Sequence, residues 1–345
     1  MNDDPAPLPT TAQTTLTLPP SSVGAEVLFS GFERAVQGDR RALARAVSRI
    51  EDRADGVLEA VGGLRPRRRS GPASPHVIGL TGPPGAGKST FTNRLVREAR
   101  ERGQRVGVLA VDPSSPFSGG AILGDRLRME EHAADPAVFI RSLASRGHLG
   151  GLSRATGQVV DLLDAAGFDL ILVETVGVGQ SELSVMEVAD TVIVVLTPES
   201  GDTVQTMKAG LLEVADVFVV NKADRPGADR LRRDLEQMVR LDGEVPDSST
   251  DWTPPVLTTC ATEGTGVSEV VRACRAHLGW ISGAGLADWE RRRAAGRLRT
   301  FLDLIAEDAR EAAASRLRTT ALSERHGLEA GELNPYQLAA AWGRS

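Results

Sequence analysis

The chain has 345 residues, 41% hydrophobic and 25% charged, with a formal net charge of −6, enough apolar content and length for one large or two smaller packed domains. The acidic balance leaves no global basic footprint for nucleic acid, and no apolar run approaches the roughly 18 to 20 residues that span a bilayer. Met1-Asn2-Asp3-Asp4 is acidic where a signal peptide would be basic, so a cytoplasmic location is expected. Residues 1–22 are rich in Pro, Thr and Ser and carry few large apolar side chains, which predicts a disordered tail. A helical region over 23–70 follows, where Val27, Phe29, Phe32 and Val36, then Leu43, Ala46, Val47 and Ile50, recur at three and four. That spacing predicts two or three amphipathic helices with a break near Gly38-Asp39. The stretch from Arg65 to Pro75, with Arg65, Arg67, Arg68 and Arg69, reads as a solvated linker.

Across 71–282, short β-branched runs alternate with helical stretches: Val77-Ile78-Gly79-Leu80, Val106 to Val111, Leu170 to Val173, Thr191 to Leu196, Val217 to Val220 and Val256 to Thr259. Alternation of this kind predicts an α/β domain with a mainly parallel sheet covered on both faces. Over 283–345 the pattern is helical again. An apolar stripe at Leu298, Phe301, Leu302, Ile305 and Ala309 marks one helix, and Leu333 to Trp342 another, either packed on the sheet domain or pairing with a second subunit.

Lysine occurs only at Lys88, Lys208 and Lys222, although Lys plus Arg total 40. Arginine replaces lysine well on a solvated surface, so the surviving lysines point to sites that need a compact ammonium. Lys88 closes Gly82-Pro83-Pro84-Gly85-Ala86-Gly87-Lys88-Ser89, a phosphate-binding loop between an apolar strand and a helix beginning at Thr90. Glycines there let backbone N–H groups close around phosphates at a helix N-terminus. Lys88 is assigned to the β- and γ-phosphates and Ser89 to Mg²⁺. The two cysteines, Cys260 and Cys274, fourteen positions apart, indicate neither a disulfide framework nor a metal-binding cluster, and the histidines, His76, His132, His148, His277 and His326, lack ligand spacing, so each histidine reads as surface or structural.

A phosphate loop does not choose between ATP and GTP. Asn221-Lys222-Ala223-Asp224, directly after an apolar strand, resembles the guanine-reading loop of GTPases. An Asp224 carboxylate there accepts from guanine N1 and the exocyclic amine, whereas adenine offers no such donor pair. The Lys222 stem can cover the base. Cys260-Ala261 resembles the supporting guanine loop. Glu174-Thr175-Val176-Gly177 stands where small GTPases have Asp-x-x-Gly, placing Glu174 near Mg²⁺ and the Gly177 N–H near the γ-phosphate. Val178 occupies the place of the catalytic glutamine of Ras-like enzymes, so intrinsic hydrolysis is expected to be slow. Gln180, two positions on, can position water only after rearrangement.

Four stretches join these motifs: Val111-Asp112-Pro113-Ser114-Ser115, Gly119 to Arg126, Arg146 to Gly151, and Glu174 through Gln180. Together they resemble the MeaB/ArgK family of GTPases over roughly residues 26 to 280. The resemblance implies a G-protein chaperone of an adenosylcobalamin-dependent acyl-CoA mutase, above all methylmalonyl-CoA mutase, that gates cofactor loading and helps replace damaged cofactor. It implies GTP or GDP as ligand, Mg²⁺ as cofactor, no cobalamin held by this chain, and a homodimer formed through the C-terminal helices. By position it adds Asp112 and Asp125 as switch carboxylates beside Ser89 and Glu174. Asp202, Gln205 and Lys208, within Gly201 to Lys208, resemble a third switch facing the mutase. Pro116-Phe117-Ser118 departs from the more polar stretch usual before the double glycine, which bears on that loop's contacts. Two other readings compete. A metallocentre-insertion GTPase of the hydrogenase or urease type lacks its Cys or His cluster here, and a kinase of an amino-acid transport system lacks an identifiable acceptor and base.

Overall fold

Runs of Val, Ile and Leu without polar alternation are stable only when both faces are covered, and they build a seven-stranded sheet whose paired strands are all parallel. The computed structural model describes residues 23–64, 75–112, 131–132, 134–144, 154–175, 181–200, 215–242, 252–319 and 321–342. Its strands are β1 (His76–Thr81), β2 (Val106–Asp112), β3 (Val138–Ala144), β4 (Leu170–Thr175), β5 (Thr191–Leu196), β6 (Val217–Asn221) and β7 (Val256–Thr259), in the order β3-β2-β4-β1-β5-β6-β7. Every residue of β1, β4, β5 and β6 is buried. Successive side chains divide between two cores, Val77, Leu109, Ile171 and Val194 on one face and Ile78, Val108, Leu172 and Ile193 on the other. The second core takes its cover from Phe91, Leu95 and Val96 of α4 (Lys88–Glu101) and Val270 and Cys274 of α8 (Val267–Ile281).

The predicted N-terminal helices form as α1 (Val23–Val36), α2 (Arg40–Glu51) and α3 (Val57–Gly62). Their break falls where expected, because Asp39 caps α2 through Oδ1, accepting from Arg41 N and Ala42 N at 2.9 Å each. Phe32, Leu43, Val47 and Ile50 share one core with Val159 and Leu163 of α5 (Arg154–Ala165), so these helices extend the sheet domain's packing.

Strand β3 was not among the expected strands. It is an edge strand whose apolar run is broken by Arg141 and Ser142, and polar residues are tolerated at an edge. Arg141 is explained by packing from outside the sheet: its Nε donates to Glu51 Oε2 at 3.0 Å and its Nη2 to Ser48 Oγ at 3.0 Å, tying the edge to α2.

Among the described residues the remaining α-helices are α6 (Ser181–Val188), α7 (Ala228–Asp242), α9 (Leu286–Thr319), α10 (Leu322–Glu329) and α11 (Pro335–Trp342). The start of α9 is clamped to the lower edge of the sheet: Trp289 Nε1 donates to Asp190 Oδ1 at 3.0 Å, and Arg293 pairs with the same carboxylate and caps α6 through Val188 O at 3.0 Å. Further along, the predicted stripe is on the helix but faces outward, with Leu298, Phe301, Leu302 and Ile305 55–61% exposed.

Two histidines that looked unrelated meet at this lower edge. His76 Nε2 lies 2.7 Å from Thr191 Oγ1, which lies 2.8 Å from His277 Nδ1, and His277 Nε2 is 3.3 Å from Asp216 Oδ1. Burial drives His76 down to about 4, and burial, reinforced by Arg292 and His76, drives His277 to about 3. Below the ordinary histidine value of about 6.5 the unfolded chain takes up protons that the folded chain refuses. Their contribution to stability is therefore complete above that value and falls as pH descends toward 4 and 3. Asp216, lifted by burial to about 6 against the pull of Arg292, works in the opposite sense, protonating first in the folded chain and offsetting part of the loss. With two imidazoles against one carboxyl, unfolding free energy is expected to drop by about 2 kcal/mol from pH 7 to pH 5. Denaturant midpoints at the two pH values measure this, and equal midpoints would contradict it.

Candidate nucleotide site

All the predicted motifs that the structure describes gather at the C-terminal ends of the strands, the edge where open parallel sheets bind ligands. The loop after β1 leaves Thr81 through Gly82, at φ 136°, where a Cβ would stand 2.0 Å from Val195 O. Only glycine passes there. Gly87, at φ 86°, is pressed against Asn221 Nδ2, which a Cβ would meet at 2.5 Å. It opens α4 without a side-chain cap, a geometry suited to an anion. Lys88 and Ser89, both buried, occupy the first turn.

Lys88 Nζ donates to Gly82 O at 2.7 Å and to Pro83 O at 3.1 Å, so the ammonium lies under the loop. At the end of β4, Glu174 is 2% exposed; its Oε1 accepts from Ser89 Oγ at 2.6 Å and its Oε2 from Thr92 Oγ1 at 2.8 Å. A carboxylate this deep needs such donors. The motifs pair Glu174 with Ser89 and give no sign of Thr92, although three residues on from Ser89 puts it on the same helix face. Asp112 ends β2 by its backbone. Asp125, Gly177, Gln180, Asp202, Gln205 and Lys208 lie outside the described residues, as do the tail over 1–22 and nearly all of the arginine-rich linker.

The second half of the site is built on β6 and β7. Asn221 Nδ2 donates to Ala86 O at 2.9 Å, while its Oδ1 accepts from Thr259 Oγ1 and Ala261 N, both at 3.1 Å. One buried amide therefore joins the phosphate loop to both strand ends. Lys222 takes φ 55°, a left-handed conformation uncommon outside glycine, and Ala223 N donates to Thr259 O at 3.0 Å to fix the turn. Asp224 Oδ1 lies 3.4 Å from Cys260 Sγ, whose thiol donates to it. Next to Asp224, Arg225 pairs with Glu199 of the short turn Pro198–Ser200 after β5, and that bond holds the Glu199 carboxyl at about 2. Neither this pair nor Arg94, which reaches the loop after β7 from α4, belongs to a sequence motif.

A phosphate loop after the central strand, a buried carboxylate at the end of its neighbour and an Asn-Lys-x-Asp turn on the same sheet edge define a P-loop GTPase. The chain belongs to the MeaB family, whose model, described as methylmalonyl Co-A mutase-associated GTPase MeaB, matches residues 43–316. A Pyrococcus horikoshii relative named as a GTPase is 46% identical over 285 residues, covering 82% of this chain and 88% of its own. A mouse protein named methylmalonic aciduria type A homolog, mitochondrial, is 38% identical over 253 residues, 70% of this chain and 60% of that one. The crystal structure of a LAO/AO transport system kinase, 26% identical, superposes with a TM-score of 0.65 over 94% of this chain and 100% of the other.

Proposed function

We propose that this GTPase is a G-protein chaperone of an adenosylcobalamin-dependent acyl-CoA mutase, methylmalonyl-CoA mutase or a close relative, and that its nucleotide state gates cofactor loading and reactivation. The match to a mutase-associated GTPase family across residues 43–316 carries this reading, and the name of the mouse relative agrees with it. Lys88 serves the β- and γ-phosphates, with the backbone from Gly82 to Thr90 around them. Asn221, Lys222 and Asp224 read guanine, with Cys260 and Ala261 in support. Gly177, Gln180, Asp202, Gln205 and Lys208 keep the γ-phosphate, water-positioning and partner-facing roles that the resemblance gives them.

The residues present fit Mg²⁺. Ser89 Oγ and Glu174 Oε1, 2.6 Å apart and buried, are hard oxygen donors on the phosphate side of the sheet. They would hold the ion, with Asp112 and Asp125 nearby in the family pattern, and the ion would offset phosphate charge. Thr92 keeps Glu174 aimed by occupying its second oxygen.

Two copies pair through α9 in this reading, supported by the exposed Leu298, Phe301, Leu302 and Ile305. No helix among the described residues is long and apolar enough to cross a membrane. Purified methylmalonyl-CoA mutase is expected to bind the GTP-analogue and GDP forms unequally and to raise GTP turnover about tenfold or more, since partners commonly complete such sites. Equal capture in both states with unchanged turnover would count against the mutase, and label passing from the γ-phosphate to a protein would favour a kinase.

A further inference from the structure

The loop after β7, which supports the base-reading turn, is held to the phosphate side of the site twice. The first tie is Asn221, expected from its motif. The second comes from α4, the helix that carries Lys88 and Ser89. Arg94 Nε donates to Ala261 O at 2.8 Å, and its Nη2 donates to Thr262 O. Its guanidinium also covers Gly264, where a Cβ would stand 3.6 Å from Nη1.

The loop it grips is closed on itself. Cys260 N donates to Thr265 O at 3.0 Å and Gly264 N to Cys260 O at 2.9 Å. Ala261 is thus fixed on both sides, its N–H by Asn221 Oδ1 at 3.1 Å and its carbonyl by Arg94. The residue before it, Cys260, presents Sγ to Asp224 at 3.4 Å. A line of direct contacts therefore runs from α4 through Ala261 and Cys260 to the carboxylate assigned to guanine. A planar fork serves two successive carbonyls at fixed geometry, whereas a lysine ammonium offers a point charge.

We propose that Arg94 is a positioning residue for base selection: it locks the loop after β7 at a set distance from the phosphate loop, and so holds Asp224 in register with a guanine whose phosphates lie in that loop. The proposal rests on the guanine reading of Asp224. A residue that only staples α4 to its neighbour would affect every ligand alike, whereas a positioning residue would affect the base and spare the phosphates.

The test compares GTP, inosine triphosphate and inorganic triphosphate on the full chain, as wild type, Arg94→Ala, Arg94→Lys and Asp224→Asn. Inosine lacks the 2-amino group, and inorganic triphosphate probes the phosphate subsite alone. Arg94→Ala is expected to weaken GTP about tenfold, the worth of one charge-assisted hydrogen bond, and to shrink the GTP-to-inosine-triphosphate preference by a similar factor. Inorganic triphosphate should change by less than about twofold. Arg94→Lys should fall between, and it carries the test alone if the alanine variant does not fold. Equal weakening of GTP and inorganic triphosphate, or an unchanged GTP-to-inosine-triphosphate preference in the folded variants, would overturn the role of Arg94. If Asp224→Asn itself leaves guanine selection intact, the guanine reading fails and the proposal falls with it. If Asp224→Asn alters selection while the Arg94 variants do not, only Arg94 is at fault.

Discussion

A chain carrying Asp224→Asn is expected to bind GTP about a hundredfold or more weakly and to prefer xanthosine triphosphate. In the proposed role the carboxylate accepts from guanine N1 and the exocyclic amine, and each charge-assisted bond is worth roughly 1.5–3 kcal/mol. An amide cannot accept from both, yet its NH₂ can donate to the carbonyl that xanthine carries in place of the amine. The surroundings favour an orderly exchange, because Cys260 Sγ, 3.4 Å from Asp224 Oδ1, can serve either side chain. Competition binding with the two triphosphates reads the result, and unchanged preference would remove Asp224 from base recognition.

Lys88→Ala is expected to lose GTP affinity by about a hundredfold or more and to abolish turnover, since in the proposed role the buried ammonium serves the β- and γ-phosphates through charge-assisted bonds. Lys88→Arg should not rescue it. The Nζ lies between Gly82 O at 2.7 Å and Pro83 O at 3.1 Å, and a planar guanidinium cannot bring one compact cationic nitrogen to both carbonyls as the ammonium does. Calorimetric titration with a non-hydrolysable analogue, alongside single-turnover hydrolysis, separates binding from chemistry. Normal turnover in the alanine variant would exclude the assigned role.

What the sequence disclosed was local. The phosphate loop, the Asn-Lys-x-Asp turn and six of the seven strands each lie within a short window of contiguous sequence. The N-terminal helices were legible too, because Asp39 is a cap and the apolar period on either side is regular. Strand β3 was not, because an edge strand answers to the helix beside it, here through Arg141 and Glu51, rather than to a buried pattern. Arg94 had no local signal, its partner carbonyl lying 167 positions away at Ala261. His76 and His277 read as surface or structural and are buried, and their meeting at Thr191 depends on the sheet order and cannot be seen in spacing. Three-dimensional neighbours remote in sequence leave no period behind them.

The sheet order also constrains when the molecule can become itself. Strand β1, early in the chain, is flanked by β4 and β5, and the turn at Gly82 is shaped by the backbone of Val195. A nascent chain that has exposed the whole glycine-rich loop still has nothing to hold it open. During synthesis, the apolar β1 must wait, solvated or shielded by chaperones, until Leu196 has left the ribosome and both neighbours can close on it. Ligand competence should thus arise late and abruptly on the ribosome, with stalled chains ending before β5 unable to retain nucleotide.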